Sequence, residues 1–324
     1  MSINIILGTP ITGTPKPWEY FDVPAIMVNA YELIKSQKIF KKVKEKGLRK
    51  ILNFDGEIYV DSGGYQCLRH GIHIDVKSIA KIYKILDADY YVSLDYPLNI
   101  SNVDSKSENK SMRLMKKVAK RNVRNYKVLY KEYKVKNLIP VLHPPEQLAS
   151  TEYQLLIEIT DSDIFAFGGL VPYFLTTKGV SNGRKVGIKM LYWLRKIYPG
   201  KIHVMGLGAP SIIPILSKLN IDSTDSSTWR LKAAYGKIIL PGKGERHISS
   251  REINFGRKKI SSEEIEMVNR ILDDLCISIT YEDLKCSFKL RALFNAYVVL
   301  RYNNYYSDDN AFRALLEYAS SKID

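Results

Sequence analysis

The chain has few cysteines and arranges none of them as a pair. Cys67, Cys276 and Cys286 are odd in number and far apart, and no C-x-x-C occurs. A disulfide framework and a cysteine-built zinc site are both excluded as readings, and a reducing, cytoplasmic setting is expected. Histidine is scarce at five, and His70, His73 and His203 lack metal-ligand spacing. No apolar run is long enough to cross a bilayer, and Met1-Ser2-Ile3-Asn4 does not open a signal peptide. No membrane partner is therefore expected. Gly206-Leu207-Gly208-Ala209-Pro210-Ser211 starts like a dinucleotide fingerprint but lacks its third glycine. No cofactor and no metal are expected.

Acidic charge is also in deficit. Lys plus Arg number 49 against 34 for Asp plus Glu, giving +15 over 324 residues. That balance points to a polyanionic partner, with nucleic acid first among them, against the alternative of a solvated basic surface. Lys106–Lys136 holds twelve Lys or Arg against two Glu. A second group, Arg230, Lys232, Lys243, Arg246, Arg251, Arg257, Lys258 and Lys259, flanks the last strand of the pattern. Arg230, Lys232, Lys243 and Arg246 are the preferred phosphate contacts, because they lie near the proposed site. The first cluster is also compatible with a solvated helix face.

Short β-branched or aromatic runs recur at Asn4–Leu7, Ala25–Val28, Glu57–Val60, Tyr90–Leu94, Leu138–Leu142, Ile164–Phe167, Ile202–Met205, Asn220–Asp222 and Lys237–Leu240. Helically spaced segments separate most of them, as in Ser111–Tyr133, Pro145–Ile159 and Arg184–Ile197. About eight such units predict an α/β fold, a (β/α)8 TIM barrel, with an open doubly wound sheet second. The barrel is assigned to residues 1–245. After it, Pro241–His247 reads as a basic loop, then Ser262–Leu275 and Tyr281–Tyr305 as helices. Residues 246–324 are expected to pack on the barrel as a helical extension.

A barrel places its active site at the C-terminal ends of its strands. Several runs end there in acids or glycines. They are Val60-Asp61-Ser62-Gly63-Gly64-Tyr65-Gln66, Leu94-Asp95, Phe167-Gly168-Gly169-Leu170, Val204-Met205-Gly206-Leu207-Gly208, and Asp222-Ser223-Thr224-Asp225. An acid, an open glycine backbone and an aromatic face suit a planar heterocycle. Each is also an ordinary turn or cap residue. His143, ahead of Pro144-Pro145, is either a base contact or a turn histidine.

In that order the segments resemble the tRNA-guanine transglycosylases, TIM-barrel enzymes that exchange guanine for a 7-deazaguanine base. The resemblance covers roughly residues 55–245. It implies Asp225 as the nucleophile on the sugar C1′ and Asp61 as the general acid/base. It implies Asp95 as reader of the guanine-type edge, Tyr65 and Met205 as the stacking pair, and Gly168, Gly169 and Leu170 at the 7-substituent. The chemistry asks for these types: one carboxylate traps the developing sugar cation while another manages protons. Asp222 competes with Asp225 for the nucleophile's role. The family's structural zinc cluster has no counterpart in Cys276, Cys286 and His247. Asp225-Ser226-Ser227-Thr228-Trp229 looks most like the DNA-acting branch, DpdA, which is found in bacterial modification–restriction clusters and viruses. That branch inserts 7-cyano-7-deazaguanine (preQ0) into DNA, so DNA and preQ0 are the expected partners, with partner proteins of such a system possible. A stacked nucleotide must be extruded to reach a barrel mouth. Trp229, Tyr173 and Tyr96 are candidates to fill the gap, with core packing as the alternative for each.

Overall fold

The structure is a computed structural model, and it describes residues 3–98, 108–175, 182–250, 258–303 and 310–322. Nine parallel ladder segments build one sheet. They are β1 (Asn4–Gly8), β2 (Ala25–Asn29), β3 (Glu57–Asp61), β4 (Tyr90–Val92), β5 (Leu138–Ile139), β6 (Val141–Leu142), β7 (Ile164–Phe167), β8 (Lys201–Val204) and β9 (Ser223–Ser226). Their order is β5-β4-β3-β2-β1-β9-β8-β7-β6. The two ends of that order are one stretch of chain, split at Pro140, which has no N–H to give a ladder. The Pro140 carbonyl still accepts from Ala166 N at 2.9 Å. Eight strand positions therefore close into a (β/α)8-type barrel.

Alternation along the strands sorts the side chains. Ile6, Met27, Tyr59, Val92, Ile139, Val141, Ile164 and Ala166 fill the barrel's interior. Their neighbours Ile5, Leu7, Ile26, Val28, Ile58 and Val60 face outward into the larger core under the helices.

Only a single 3₁₀ turn, Pro17–Glu19, occurs between β1 and β2. The helix Phe288–Arg301 packs there, against β1, that turn and the helix Thr228–Ala234. Tyr297 meets Phe21 edge-on at 5.3 Å. Asn295, fully buried, accepts from Ile239 N at 2.8 Å and donates to the carbonyls of Trp229 and Lys237, each at 3.1 Å.

Four elements differ from the sequence expectation. The eighth barrel strand is Ser223–Ser226, not Asn220–Asp222. Asn220 adopts a left-handed turn (φ 53°) and the strand itself is entirely polar, so a search for apolar runs passes over it. Lys237–Leu240 leaves the barrel to form an antiparallel hairpin with Gly244–His247, so the expected basic loop contains a strand. The division at 245/246 accordingly falls inside that hairpin. Tyr281–Tyr305 is two helices, Tyr281–Cys286 and Phe288–Arg301, because Ser287 breaks the run and caps the second through Leu290 N. Lys106, Arg251 and Arg257 lie outside the described residues.

Replacing Asn295 with Leu strands three buried backbone groups. The expected result is a loss of about 3 kcal/mol, read as a lowered denaturation midpoint.

Candidate active site

Every strand-end segment singled out above reaches the same rim of the barrel. Asp61 closes β3, Asp95 follows β4, His143 follows β6, Gly168 follows β7, Met205 follows β8, and Asp225 lies in β9.

Three carboxylates share this mouth, and each is held differently. Asp225 Oδ1 accepts from the Gly206 N–H at 2.7 Å. Gly206 presents that N–H from a left-handed conformation (φ 73°), which favours glycine. Gly208 N–H bonds the Asp225 carbonyl at 3.0 Å, and a Cβ at Gly208 would come within 2.6 Å of that same oxygen. The Gly206-Leu207-Gly208 turn is thus a cradle for Asp225. Beneath it, buried His203 places Nε2 3.4 Å from Asp225 Oδ1 and Nδ1 2.9 Å from Ser223 Oγ.

Asp61 accepts from Asn29 Nδ2 at 2.6 Å and from Gly63 N at 3.3 Å. Burial, then the charge of Asp95, and to a lesser extent that of Asp225, push its carboxyl up to about 7. Asp61 therefore populates both protonation states near neutrality, as a group that gives and takes protons must.

Asp95 meets a buried cation. Its Oδ2 lies 2.8 Å from His143 Nε2, and His143 Nδ1 lies 3.1 Å from both Glu152 oxygens. Glu152 is fully buried and also accepts from His143 N at 2.8 Å and Asn122 Nδ2 at 2.9 Å. Burial alone would drive the imidazole's pKa down. Glu152 and Asp95 outweigh it and raise His143 to about 10. The imidazolium fixes Asp95 as a hydrogen-bond acceptor at the rim.

Tyr65 stands at the first turn of the helix Gly64–Arg69, 55% exposed, with a free face for stacking. Met205 is partly buried against the barrel interior, and Leu170 is fully buried behind Gly168-Gly169. The opening glycines serve other site residues. A Cβ at Gly63 would lie 2.7 Å from Asn29 Oδ1, and one at Gly64 would lie 2.0 Å from the Asp95 carbonyl.

Asp222 is not at the mouth. It precedes β9, pairs with Arg195 Nη2 at 2.5 Å and accepts from Ile202 N at 2.8 Å. Trp229 is fully buried and donates to the Gly8 carbonyl at 3.0 Å. Tyr96 and Tyr173 are buried too, so none of the three aromatics is open to a displaced base.

Of the preferred basic residues, Arg246 is corrected: it is 2% exposed and its guanidinium is clamped on Glu264, with Nε at 2.8 Å from Oε2 and Nη2 on Oε1. It also donates to the Lys243 and Glu245 carbonyls, so the fold uses it up. Lys232 pairs with Glu245 at 2.7 Å. Arg230 is half-buried over the Trp229 and Phe288 rings and donates to Thr14 O at 2.6 Å. Lys243 is exposed in the hairpin turn. Among the described residues no group of His, Cys, Asp or Glu is placed to hold a metal, and the family's zinc cluster does not fit exposed Cys276 and Cys286.

A family model described as queuine tRNA-ribosyltransferase matches residues 8–296. The chain belongs to that family. It is 27% identical over 261 residues to "Uncharacterized protein 306" of Sulfolobus islandicus rod-shaped virus 1, covering 79% of this chain and 74% of the viral one. It is 31% identical over 223 residues to the tRNA-guanine(15) transglycosylase of Nanoarchaeum equitans, covering 67% of this chain and 50% of that enzyme. With the Thermococcus onnurineus tRNA-guanine(15) transglycosylase it shares 25% over 249 residues, covering 76% and 41%. The chain thus spans half or less of these two enzymes.

The family's motif order had brought the acids to notice but not their partners. Asn29 was findable as the polar end of the Ala25–Val28 run. Glu152 was findable as an acid on the buried stripe of Leu148, Ala149 and Leu156.

The raised His143 has a measurable sign. A base that holds its proton more tightly in the folded state stabilises most below its unfolded pKa and loses that contribution as pH rises through the folded one. Stability should fall between about pH 6.5 and about pH 10. The expected outcome for His143→Gln is that this part of the slope disappears from urea midpoints measured across that range.

Proposed function

We propose that the protein is a base-exchange transglycosylase that replaces guanine in DNA with preQ0 through a covalent aspartyl-glycosyl intermediate. The observation that carries this reading is the pairing of two unlike carboxylates at one rim. Asp225 is oriented by the Gly206 N–H, while Asp61 is poised near neutrality.

In the first half-reaction an Asp225 oxygen bonds C1′ as the C1′–N bond to guanine breaks. Protonated Asp61 gives its proton to the departing base. In the second, ionised Asp61 takes the ring N–H proton of preQ0. The freed nitrogen then bonds C1′ and Asp225 leaves as carboxylate. The sugar is passed between two bases, so no net oxidation or hydrolysis occurs. Asp95, fixed by His143, accepts from N1–H and the exocyclic amine of either base, an edge that adenine lacks. Tyr65 and Met205 supply the stacking faces, and the backbone of Gly168-Gly169-Leu170 borders the 7-substituent.

DNA is favoured by the resemblance of Asp225-Ser226-Ser227-Thr228-Trp229 to the DNA-acting branch, while the charge of +15 fits either nucleic acid. Exchange into tRNA is the second reading, favoured by the names of the Nanoarchaeum and Thermococcus relatives. The presence of Asp61, Asp95 and Asp225 together argues against a barrel that only binds nucleic acid.

The protein is supplied with preQ0 and either duplex DNA or tRNA, and the polymer is digested to nucleosides for mass analysis. The deoxynucleoside of preQ0 is expected; ribonucleoside product alone overturns the DNA reading. Asp225→Asn should abolish the trapped adduct and reduce exchange on the order of 10³-fold or more. The profile of kcat/KM against pH should carry an inflection near 7 that Asp61→Asn removes, and an inflection that persists would assign the proton transfer to another group.

A further inference from the structure

The basic residues divide into those the fold neutralises and those it leaves open. The helix Glu108–Lys127 belongs to the second kind. It carries Lys110, Arg113, Lys116, Lys117, Lys120, Arg121, Arg124 and Lys127, all exposed, against the single acid Glu108. Among the described residues none of the eight has an ion-pair partner. At 100° per residue they occupy one arc of about 140°. Buried Ser111, Met115, Val118, Ala119, Asn122 and Tyr126 occupy the opposite side.

The helix is placed beside the mouth and rises past it. Asn125 Nδ2 bonds the Leu94 carbonyl at 3.1 Å, Asn122 Oδ1 accepts from Tyr96 N at 3.1 Å, and Arg121 Nη2 donates to Tyr96 O at 3.2 Å. Residues 121–125 are therefore level with the loop that carries Asp95. The chain then runs down through buried Leu129 to β5. Residues 108–120 must extend the other way, beyond the rim, by about 20 Å at 1.5 Å per residue. Met115, Val118 and Ala119 brace that overhang on Leu148 of the helix Glu146–Leu156.

We infer that this overhanging stripe is the track for the phosphates that flank the reacting nucleotide. From Lys110 to Arg124 the stripe is about 21 Å long, the length of about six base-pair steps of a duplex at about 3.4 Å of axial rise each. It begins at the level of Asp95, where a nucleotide drawn into the mouth leaves its neighbours outside. This rests on the nucleic-acid substrate proposed above and moves the main phosphate contact away from the post-barrel cluster, where Arg246 and Lys232 are paired with acids.

The experiment compares two charge-matched variants with the wild type in titrations of a duplex across a salt series. One carries Arg113→Gln, Lys117→Gln, Lys120→Gln and Arg124→Gln. The other carries Lys38→Gln, Lys42→Gln, Lys44→Gln and Lys46→Gln, on the exposed face of a helix between β2 and β3. All eight positions are exposed, and unchanged thermal midpoints verify the fold. The slope of log affinity against log salt is expected to fall by about 3–4 in the stripe variant and to stay near the wild-type value in the other. Equal losses in both variants, or no loss in the stripe variant while the wild type binds and exchanges base, overturn the track alone. A wild type that binds neither DNA nor tRNA overturns the substrate reading with it.

Discussion

Three carboxylates at one barrel rim repel one another, and the architecture around the mouth follows from how that repulsion is met. Asp225 receives a backbone N–H, which requires the glycine turn after β8. Asp95 receives a buried imidazolium, which in turn requires Glu152 from the next helix to keep it charged. Asp61 receives only amide donors, from Asn29 and Gly63, and so meets the field by retaining its proton toward neutrality. Three identical side chains acquire three characters because their partners differ in charge.

That division follows a physical order. A fully buried Glu152 without His143 would cost several kcal/mol, and a His143 without both acids would lose its proton. The Asn122–Glu152–His143–Asp95 chain is therefore a unit whose members depend on one another. Its outer end is a carboxylate that can be an acceptor only. A group of that kind selects a base edge by its donors. Asp61 lies outside the hydrogen-bonded chain and meets Asp95 only through its charge. In the proposed exchange, recognition and proton transfer are divided in one small mouth by which acid has a cation behind it.

How much of this was legible in the sequence depended on whether the signal was local. The strand–helix alternation and the strand-end acids were visible because each is written within a few residues. β9 was missed because Ser223–Ser226 carries no apolar side chain, its own Thr224 and Ser226 being buried by the closed barrel and not by their hydrophobicity. Glu152 and Asn29 could be seen as unusual but not as partners, since His143 to Glu152 crosses from strand end to helix and Asn29 to Asp61 crosses between strands. The glycines were noticed for a reason the structure revises. Gly63 and Gly64 are open to the backbone of Asp95 and the amide of Asn29, so close approach within the protein already accounts for them.

Charge shows the same limit. Composition reports +15 but not which cations are spent. Arg246 sits in a hairpin next to a helix that offers Glu264, and it folds inward as a clamp. Its nearness to the mouth in sequence gave no warning, because the acid that captures it comes from an element 18 residues later. Along Glu108–Lys127 no such acid is within reach on the helix: Glu108 is at its first position and the eight cations lie on the face opposite the packed one. A face of that kind repels itself, by a few tenths of a kcal/mol for each close pair, and a polyanion would relieve that repulsion on binding. The free protein therefore carries a standing cost along one edge of its mouth, and the phosphate track proposed for that edge would remove it.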